Sequence, residues 1–203
     1  MYVAIAGNIG SGKTTLTNLL AKNFGWQPVY EQIDDNPYIE NFYEDMRRWA
    51  FHLQIYFLQK RFTYVINSCK NYKDIVQDRT LYEDAYIFAP TLHSMGLLAS
   101  RDYETYLSLF NLMISLTKQP DVLIYLQASV PTLLNQISKR GRTYENSIRL
   151  DYITSLNERY ENWVSTYEGR KLIINIDNLN IIDKPEDLGV VFEKVNGEVN
   201  GLF

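Results

Sequence analysis

The sequence predicts an α/β protein built on a parallel sheet with helices on both faces, and three observations carry that expectation. Apolar runs at 2–7, 74–78, 122–128 and 171–176 lie far apart instead of pairing as hairpins. The stretches between them have helical spacing. The first run, YVAIAG, ends in a glycine, and TTLTNLLAKNFG follows with a stop at Gly25, so the chain opens strand, loop, helix. Parallel strands need long crossover connections, and strands covered on both faces read as continuous apolar runs.

The remaining elements follow in order. QPVYEQIDDNP holds a short β-like segment that delivers Glu31. The longest helical stretch runs from about 37 to 69, where Phe51, Ile55, Leu58, Phe62 and Ile66 recur every three or four residues on one face. That stripe is expected to pack on the sheet or on a partner subunit. Further helices are expected over 83–97, 103–117, 131–139, 149–167 and 185–194. No repeat, low-complexity tract or linker divides the chain, so residues 1–203 are expected to form a single domain.

Composition narrows the function. A chain of 203 residues that is 46% hydrophobic can bury a substantial core without disulfide or metal support. A net charge of −4 argues against a nucleic-acid polymer or a membrane surface as partner, since binders of either usually carry a basic field. The lone cysteine, Cys69, cannot form an internal disulfide, the N-terminus lacks the pattern of a signal peptide, and no apolar run approaches the ~20 residues that span a bilayer. A soluble cytoplasmic protein is the expectation.

The strongest chemical signal is GNIGSGKT, which fits the G-x-x-x-x-G-K-[ST] phosphate loop and sits between a strand and a helix, as that loop must. The backbone from Gly7 through Asn8, Ile9, Gly10, Ser11 and Gly12 can turn successive N–H groups onto phosphate oxygens, at a helix N-terminus that favours anions. Lys13 supplies a point charge for the β- and γ-phosphates, Thr14 a hydroxyl for Mg²⁺, and Thr15 continues the site. A nucleoside triphosphate, expected to be ATP, is therefore the ligand. The guanine-reading N-K-x-D of a GTPase is absent, and the chain leaves little room for a motor's coupling domain. A small-molecule kinase instead needs an acceptor site, a proton acceptor and a cationic lid.

Candidates for all three are present. Glu31 follows a strand end, where ligands sit in open α/β sheets, and could accept a hydroxyl proton, though a loop acid there could equally be solvated. IVQDRTLYED (75–84) ends an apolar run at Asp78 and Arg79 and continues to Glu83 and Asp84, which either cap the next helix or hold a ligand. SKRGRTYE (138–145) places Lys139, Arg140 and Arg142 around Gly141, either as helix-dipole partners or as a phosphate clamp in a lid over about 138–147. His52 and His93 show no metal-ligand spacing and read as polar helix residues.

Taken together, GNIGSGKTT, YEQIDDNPY, FYEDMRRWAFHLQIYFLQKR, DRTLYED and KRGRTYE resemble the deoxynucleoside kinase family in order and spacing over nearly the whole chain, and are most like its small bacterial deoxyadenosine and deoxyguanosine kinases. The resemblance implies the P-loop kinase fold: a five-stranded parallel sheet with helices on both faces, an arginine-bearing lid and a homodimer formed through long helices. It implies that ATP with Mg²⁺ phosphorylates the 5'-hydroxyl of a 2'-deoxynucleoside in nucleoside salvage. Glu31 matches the family's proton acceptor, Arg79 the arginine that holds the 5'-oxygen, and Asp78 the acid assigned to Mg²⁺ or, alternatively, to the proton. Tyr43 and Glu145 match the pair that binds the 3'-hydroxyl, and Gln54 the reader of the base edge. Phe88 matches the aromatic that stacks on the base, and Arg140 and Arg142 the lid arginines. Arg61 and Asp84 match the pair found in members that accept purine deoxynucleosides or deoxycytidine, so thymidine should be poor, and DDNPYIENFY and LQIYFLQKR look like the bacterial purine kinases, so purines should be favoured with deoxycytidine possible.

Three positions depart from the common family pattern: Gln32 stands where many members have proline, Gln136 where several have an arginine, and Tyr144 where an acid is common. Two other readings keep the phosphate loop. One is a nucleoside monophosphate kinase of the thymidylate kinase type, and the other is a nucleotide-binding regulator without turnover.

Overall fold

The computed structural model describes residues 1–31, 33 and 35–201. Gln32, one of the three departures, lies outside the described residues.

Among these residues the sheet has five parallel strands in the order β2-β3-β1-β4-β5: β2 (Gln27–Val29), β3 (Ile75–Asp78), β1 (Tyr2–Gly7), β4 (Val122–Gln127) and β5 (Lys171–Asn175). All six residues of β1 are buried because both of its faces are covered. Its side chains alternate between two cores. Tyr2, Ala4 and Ala6 join Leu123 and Tyr125 on one side, against α3 (Met46–Asn71), α6 (Ser100–Ile114) and α8 (Leu150–Thr166). Val3 and Ile5 join Val76, Ile124 and Leu126 on the other, against α1 (Lys13–Phe24) and α9 (Pro185–Asn200).

Register determines where the chemistry collects. Ile5 pairs with Asp78, and the Arg79 N–H donates to the Ile5 carbonyl at 3.0 Å. The carboxyl ends of β1, β2 and β3 therefore deliver Gly7, Glu31 and the Asp78-Arg79 pair to one edge of the sheet, the edge at which open α/β sheets bind ligands.

The long helix expected over 37–69 is two helices, α2 (Ile39–Glu44) and α3, broken at Asp45. The Asp45 carboxylate accepts the Arg48 N–H at 3.1 Å, a helix N-cap that the unbroken apolar periodicity conceals. The expected stripe is also displaced. Phe51, Ile55, Phe62 and Ile66 are only half-buried, and the inward line is Ala50, Leu53, Gln54, Leu58, Arg61 and Val65. Two polar side chains occupy that inward line because it roofs a cavity as well as a core.

The helix expected over 83–97 occupies 81–94 as α4 (Leu81–Glu83), a π-helical stretch (Asp84–Phe88) and α5 (Ala89–Ser94). Such stretches insert a residue into a helix and recur at functional sites. α7 (Val130–Arg140) and α8 follow the expectation within a residue, α6 begins three residues early, and α9 runs six residues further than expected. Among the described residues no helix is long and apolar enough to cross a membrane.

Candidate active site

A cleft of about 520 Å³ lies over the carboxyl edge of the sheet. Its floor is the phosphate loop, its roof α2 and α3, and one wall the 79–88 segment. Gly10 has φ +86°, and a Cβ there would lie 2.8 Å from the Leu133 carbonyl oxygen; only glycine fits. Lys13 curls back so that its ammonium donates to the Gly7 and Asn8 carbonyls at 2.8 and 2.9 Å. Burial and the neighbouring Arg79 lower its pKa to about 7, against the opposing pull of Asp78, Glu83 and Glu31. Thr14 Oγ1 donates to Asp78 Oδ2 at 2.5 Å, and Asp78 Oδ1 is a buried acceptor with no partner among the described residues. Burial raises the Asp78 pKa, with Lys13 opposing.

Charge is concentrated in a buried chain of ion pairs. Arg61, from α3, bridges two carboxylates: one nitrogen meets Glu31, another meets Asp84. Arg79 Nε lies 3.4 Å from the second Glu31 oxygen. Burial alone would raise the Glu31 pKa, but Arg79, Arg61 and Lys13 together hold it at about 2. For Asp84 the balance reverses: burial outweighs Arg61 and pushes the pKa up to about 6. Arg79 adopts φ 67°, a left-handed conformation costly for a side-chain-bearing residue, and its guanidinium lies 4.5 Å from the Phe88 ring centre. The residues of DRTLYED divide between cap and cleft. Thr80 and Glu83 form the capping box, while Arg79 and Asp84 face the cleft.

At the cleft mouth, α7 ends at Gly141 and a 3-10 turn (Thr143–Ser147) follows. Arg140 donates to both oxygens of Glu145, Nε at 3.1 Å and Nη2 at 2.6 Å, and Arg142 lies 3.5 Å from the same carboxylate. Tyr144 stacks on Tyr43 with ring centres 5.6 Å apart. Burial raises the Tyr43 pKa well above that of an ordinary phenol, so the hydroxyl keeps its proton.

The structure thus brings Ile9, Gly10, Gly12, Lys13, Thr14, Thr15, Glu31, Tyr43, Gln54, Arg61, Arg79, Asp84, Phe88, Arg140, Arg142 and Glu145 to one cleft. Gly7, Asn8 and Ser11 are buried in the loop behind it, and Asp78 lies beneath Thr14. His52 and His93 are not on the cleft wall; His93 stacks on Tyr103 at the surface. Leu53, Phe57 and Tyr152 line the cleft but carry no motif that marks them in the sequence. Glu83 was signalled only by the T-x-x-E spacing of a capping box, and Tyr160 by nothing local.

A family model described as "Deoxynucleoside kinase" matches residues 3–200, nearly the whole chain. The chain belongs to the deoxynucleoside kinase family. It is accordingly a phosphotransferase with a hydroxyl group as acceptor. The kinase is 38% identical over 196 residues to the deoxyadenosine/deoxycytidine kinase of Bacillus subtilis (strain 168), an alignment that covers 95% of this chain and 90% of the relative. It is 34% identical over 203 residues to a deoxyguanosine kinase of Lactobacillus acidophilus, covering 95% and 88%. Among solved structures, the M. mycoides deoxyadenosine kinase with dCMP and dCDP superposes with a TM-score of 0.87 at 30% identity, over 97% of this chain and all of that one. The same enzyme with bound dATP superposes with a TM-score of 0.83.

Proposed function

We propose that this kinase transfers the γ-phosphoryl group of ATP to the 5'-hydroxyl of a 2'-deoxynucleoside, favouring purines, accepting deoxycytidine and using thymidine poorly. The observation that carries the reading is a set of unpartnered polar atoms at the inner end of the cleft: Gln54 Oε1, Arg61 Nε and Asp84 Oδ2 are buried without a partner among the described residues. Orphaned buried groups of this kind are costly unless a ligand satisfies them. Two acceptors and one donor suit a base edge with an exocyclic amine beside a ring acceptor, as in adenine or cytosine. The 4-carbonyl of thymine would face the Asp84 carboxylate with no hydrogen to share. The same argument places deoxyadenosine ahead of deoxyguanosine, whose 6-carbonyl would meet Asp84 as thymine's 4-carbonyl does; the names of the relatives, which span deoxyadenosine, deoxyguanosine and deoxycytidine kinases, support the wider purine range.

The residues at the other end suit the donor. Lys13 would exchange the Gly7 and Asn8 carbonyls for β- and γ-phosphate oxygens, and the loop N–H groups would bind the rest. Thr14 Oγ1 and the unpartnered Asp78 Oδ1 are hard oxygen donors that fit Mg²⁺ and would hold it. Bound there, Mg²⁺ would neutralise charge on the β- and γ-phosphates. Glu31 accepts the 5'-hydroxyl proton as that oxygen attacks phosphorus and ADP departs, and Arg79 stabilises the charge at the reacting centre. Arg140 and Arg142, released from Glu145, would close as a lid on the transferring group, leaving Glu145 and Tyr43 for the 3'-hydroxyl. The half-buried stripe of α3 and the exposed Leu112 on the adjacent α6 support a homodimer through these helices.

ATP-dependent phosphorylation of deoxyadenosine, deoxyguanosine, deoxycytidine and thymidine, with the matching monophosphates alongside, tests the reading. The expected order has a purine first and thymidine at least about tenfold behind. Activity confined to monophosphates would replace the reading with the monophosphate-kinase alternative. A pH series adds an independent check. The amine-accepting form of Asp84 is the ionised one, whose share falls about tenfold per unit of pH below 6. KM for deoxyadenosine should therefore rise as pH drops from about 7 to about 5, and a flat KM over that range would remove Asp84 from base recognition.

A further inference from the structure

Glu83 and Tyr160 lie behind the cleft wall and bind nothing that the reaction needs directly, yet both are fully buried. The Glu83 carboxylate accepts four hydrogen bonds. Oε2 takes the Thr80 N–H at 2.7 Å and the Thr80 hydroxyl at 3.2 Å, which completes the capping box of the helix that follows. Capping alone would leave Oε1 idle. Instead Oε1 takes the N–H of Gly7, the first residue of the phosphate loop, at 3.3 Å, and the Tyr160 hydroxyl at 2.8 Å. Tyr160 in turn accepts from Arg79 Nη1 at 3.1 Å. One carboxylate thus joins the phosphate loop, the turn after β3 and, through a single phenol, the guanidinium beside Glu31.

Each link is held rigidly. The Tyr160 ring stacks on Tyr125 at 5.9 Å and meets Phe88 edge-on at 6.4 Å, and Phe88 is the ring under the Arg79 guanidinium. The strained backbone of Arg79 is pinned separately, its carbonyl accepting from Gln77 Nε2 at 2.8 Å while Tyr2 holds Gln77 Oε1 at 2.7 Å. Backbone pinning sets where the arginine starts, and Tyr160 sets where its charged end lies.

We infer that Glu83 and Tyr160 are positioning residues for phosphoryl transfer, holding the Arg79 guanidinium and the opening of the phosphate loop at a fixed spacing. The inference rests on the proposed placement of Arg79 at the reacting centre. It explains why a carboxylate is required at 83. Each of its oxygens faces a backbone N–H, Gly7 on one side and Thr80 on the other, so a glutamine would set its own NH₂ against one of them in either orientation. It also explains the hydroxyl at 160, because a phenylalanine would pack equally well but could neither donate to Glu83 nor accept from Arg79.

The test compares the wild type with Y160F, E83Q and the double variant, measuring kcat, both KM values and the melting temperature. Displacement of a reacting group by an ångström or less from a distant change can lower turnover by about 10²-fold. Y160F is expected to lower kcat about 10- to 100-fold while KM for ATP and for deoxynucleoside change less than about threefold. E83Q is expected to fall at least as far, with the double variant no worse than E83Q alone, since both break one chain. A purely structural role predicts a lower melting temperature with kcat unchanged, so Y160F turnover within about twofold of wild type would overturn the inference even if E83Q fails to fold. A wild-type protein inactive on every deoxynucleoside would instead overturn the functional reading on which it rests.

Discussion

Replacing Glu31 by glutamine is expected to lower kcat by about 10²- to 10⁴-fold, with nucleoside binding largely retained, because the amide keeps the shape and a hydrogen-bond acceptor but cannot take the proton. The structure sharpens the expectation. Arg61 and Arg79 both hold the carboxylate, and a pKa of about 2 makes it a poor base for a hydroxyl. On the proposed reading, a nucleoside base that engages Arg61 would weaken its hold on Glu31 and return basicity to that carboxylate. Asp78 is the rival, raised by burial and also at the reacting end. Single-turnover rates of E31Q and D78N decide between them. Near-normal turnover in E31Q, with a collapse in D78N, would transfer the proton to Asp78.

The second large effect is on specificity. Asp84→Ala should lower kcat/KM for deoxyadenosine by about 10²- to 10³-fold, because a site built to accept an amine loses its charged acceptor. Thymidine, which gains nothing from that carboxylate, should be nearly unaffected, so the ratio of the two substrates shifts toward thymidine. Removing one partner of a buried ion pair is usually destabilising by about 3–5 kcal/mol; here Arg61 keeps Glu31, and the loss should be smaller. Melting curves separate that loss from catalysis. An unchanged ratio of deoxyadenosine to thymidine would take the base-reading role away from Asp84.

Much of the sheet was legible because buried parallel strands announce themselves: YVAIAG and VLIYL are apolar without interruption, and the structure places both in the interior of the sheet. The phosphate loop was legible because its chemistry is local, with glycines, lysine and threonine within one turn of chain. Helix boundaries were less so. Asp45 caps α3 in the middle of a periodic pattern, and periodicity reports which face is apolar rather than where hydrogen bonds stop. The stripe on α3 misled for a related reason, since apolar content could not reveal that Gln54 and Arg61 face inward.

The succession of strands and helices along the chain, the phosphate loop and the acids and bases available to the cleft follow from the sequence, since each depends on residues that are neighbours in the chain or repeat at the period of an element. What the tertiary structure alone decided is which of those charges meet. Arg61 lies 30 residues from Glu31 and 23 from Asp84, Glu83 lies 77 residues from Tyr160, and no local pattern relates them. Long-range pairing of buried charge is set by how helices pack on the sheet, and in the low-dielectric interior that packing moves Glu31 down to about 2 and Asp84 up to about 6 from nearly equal starting points.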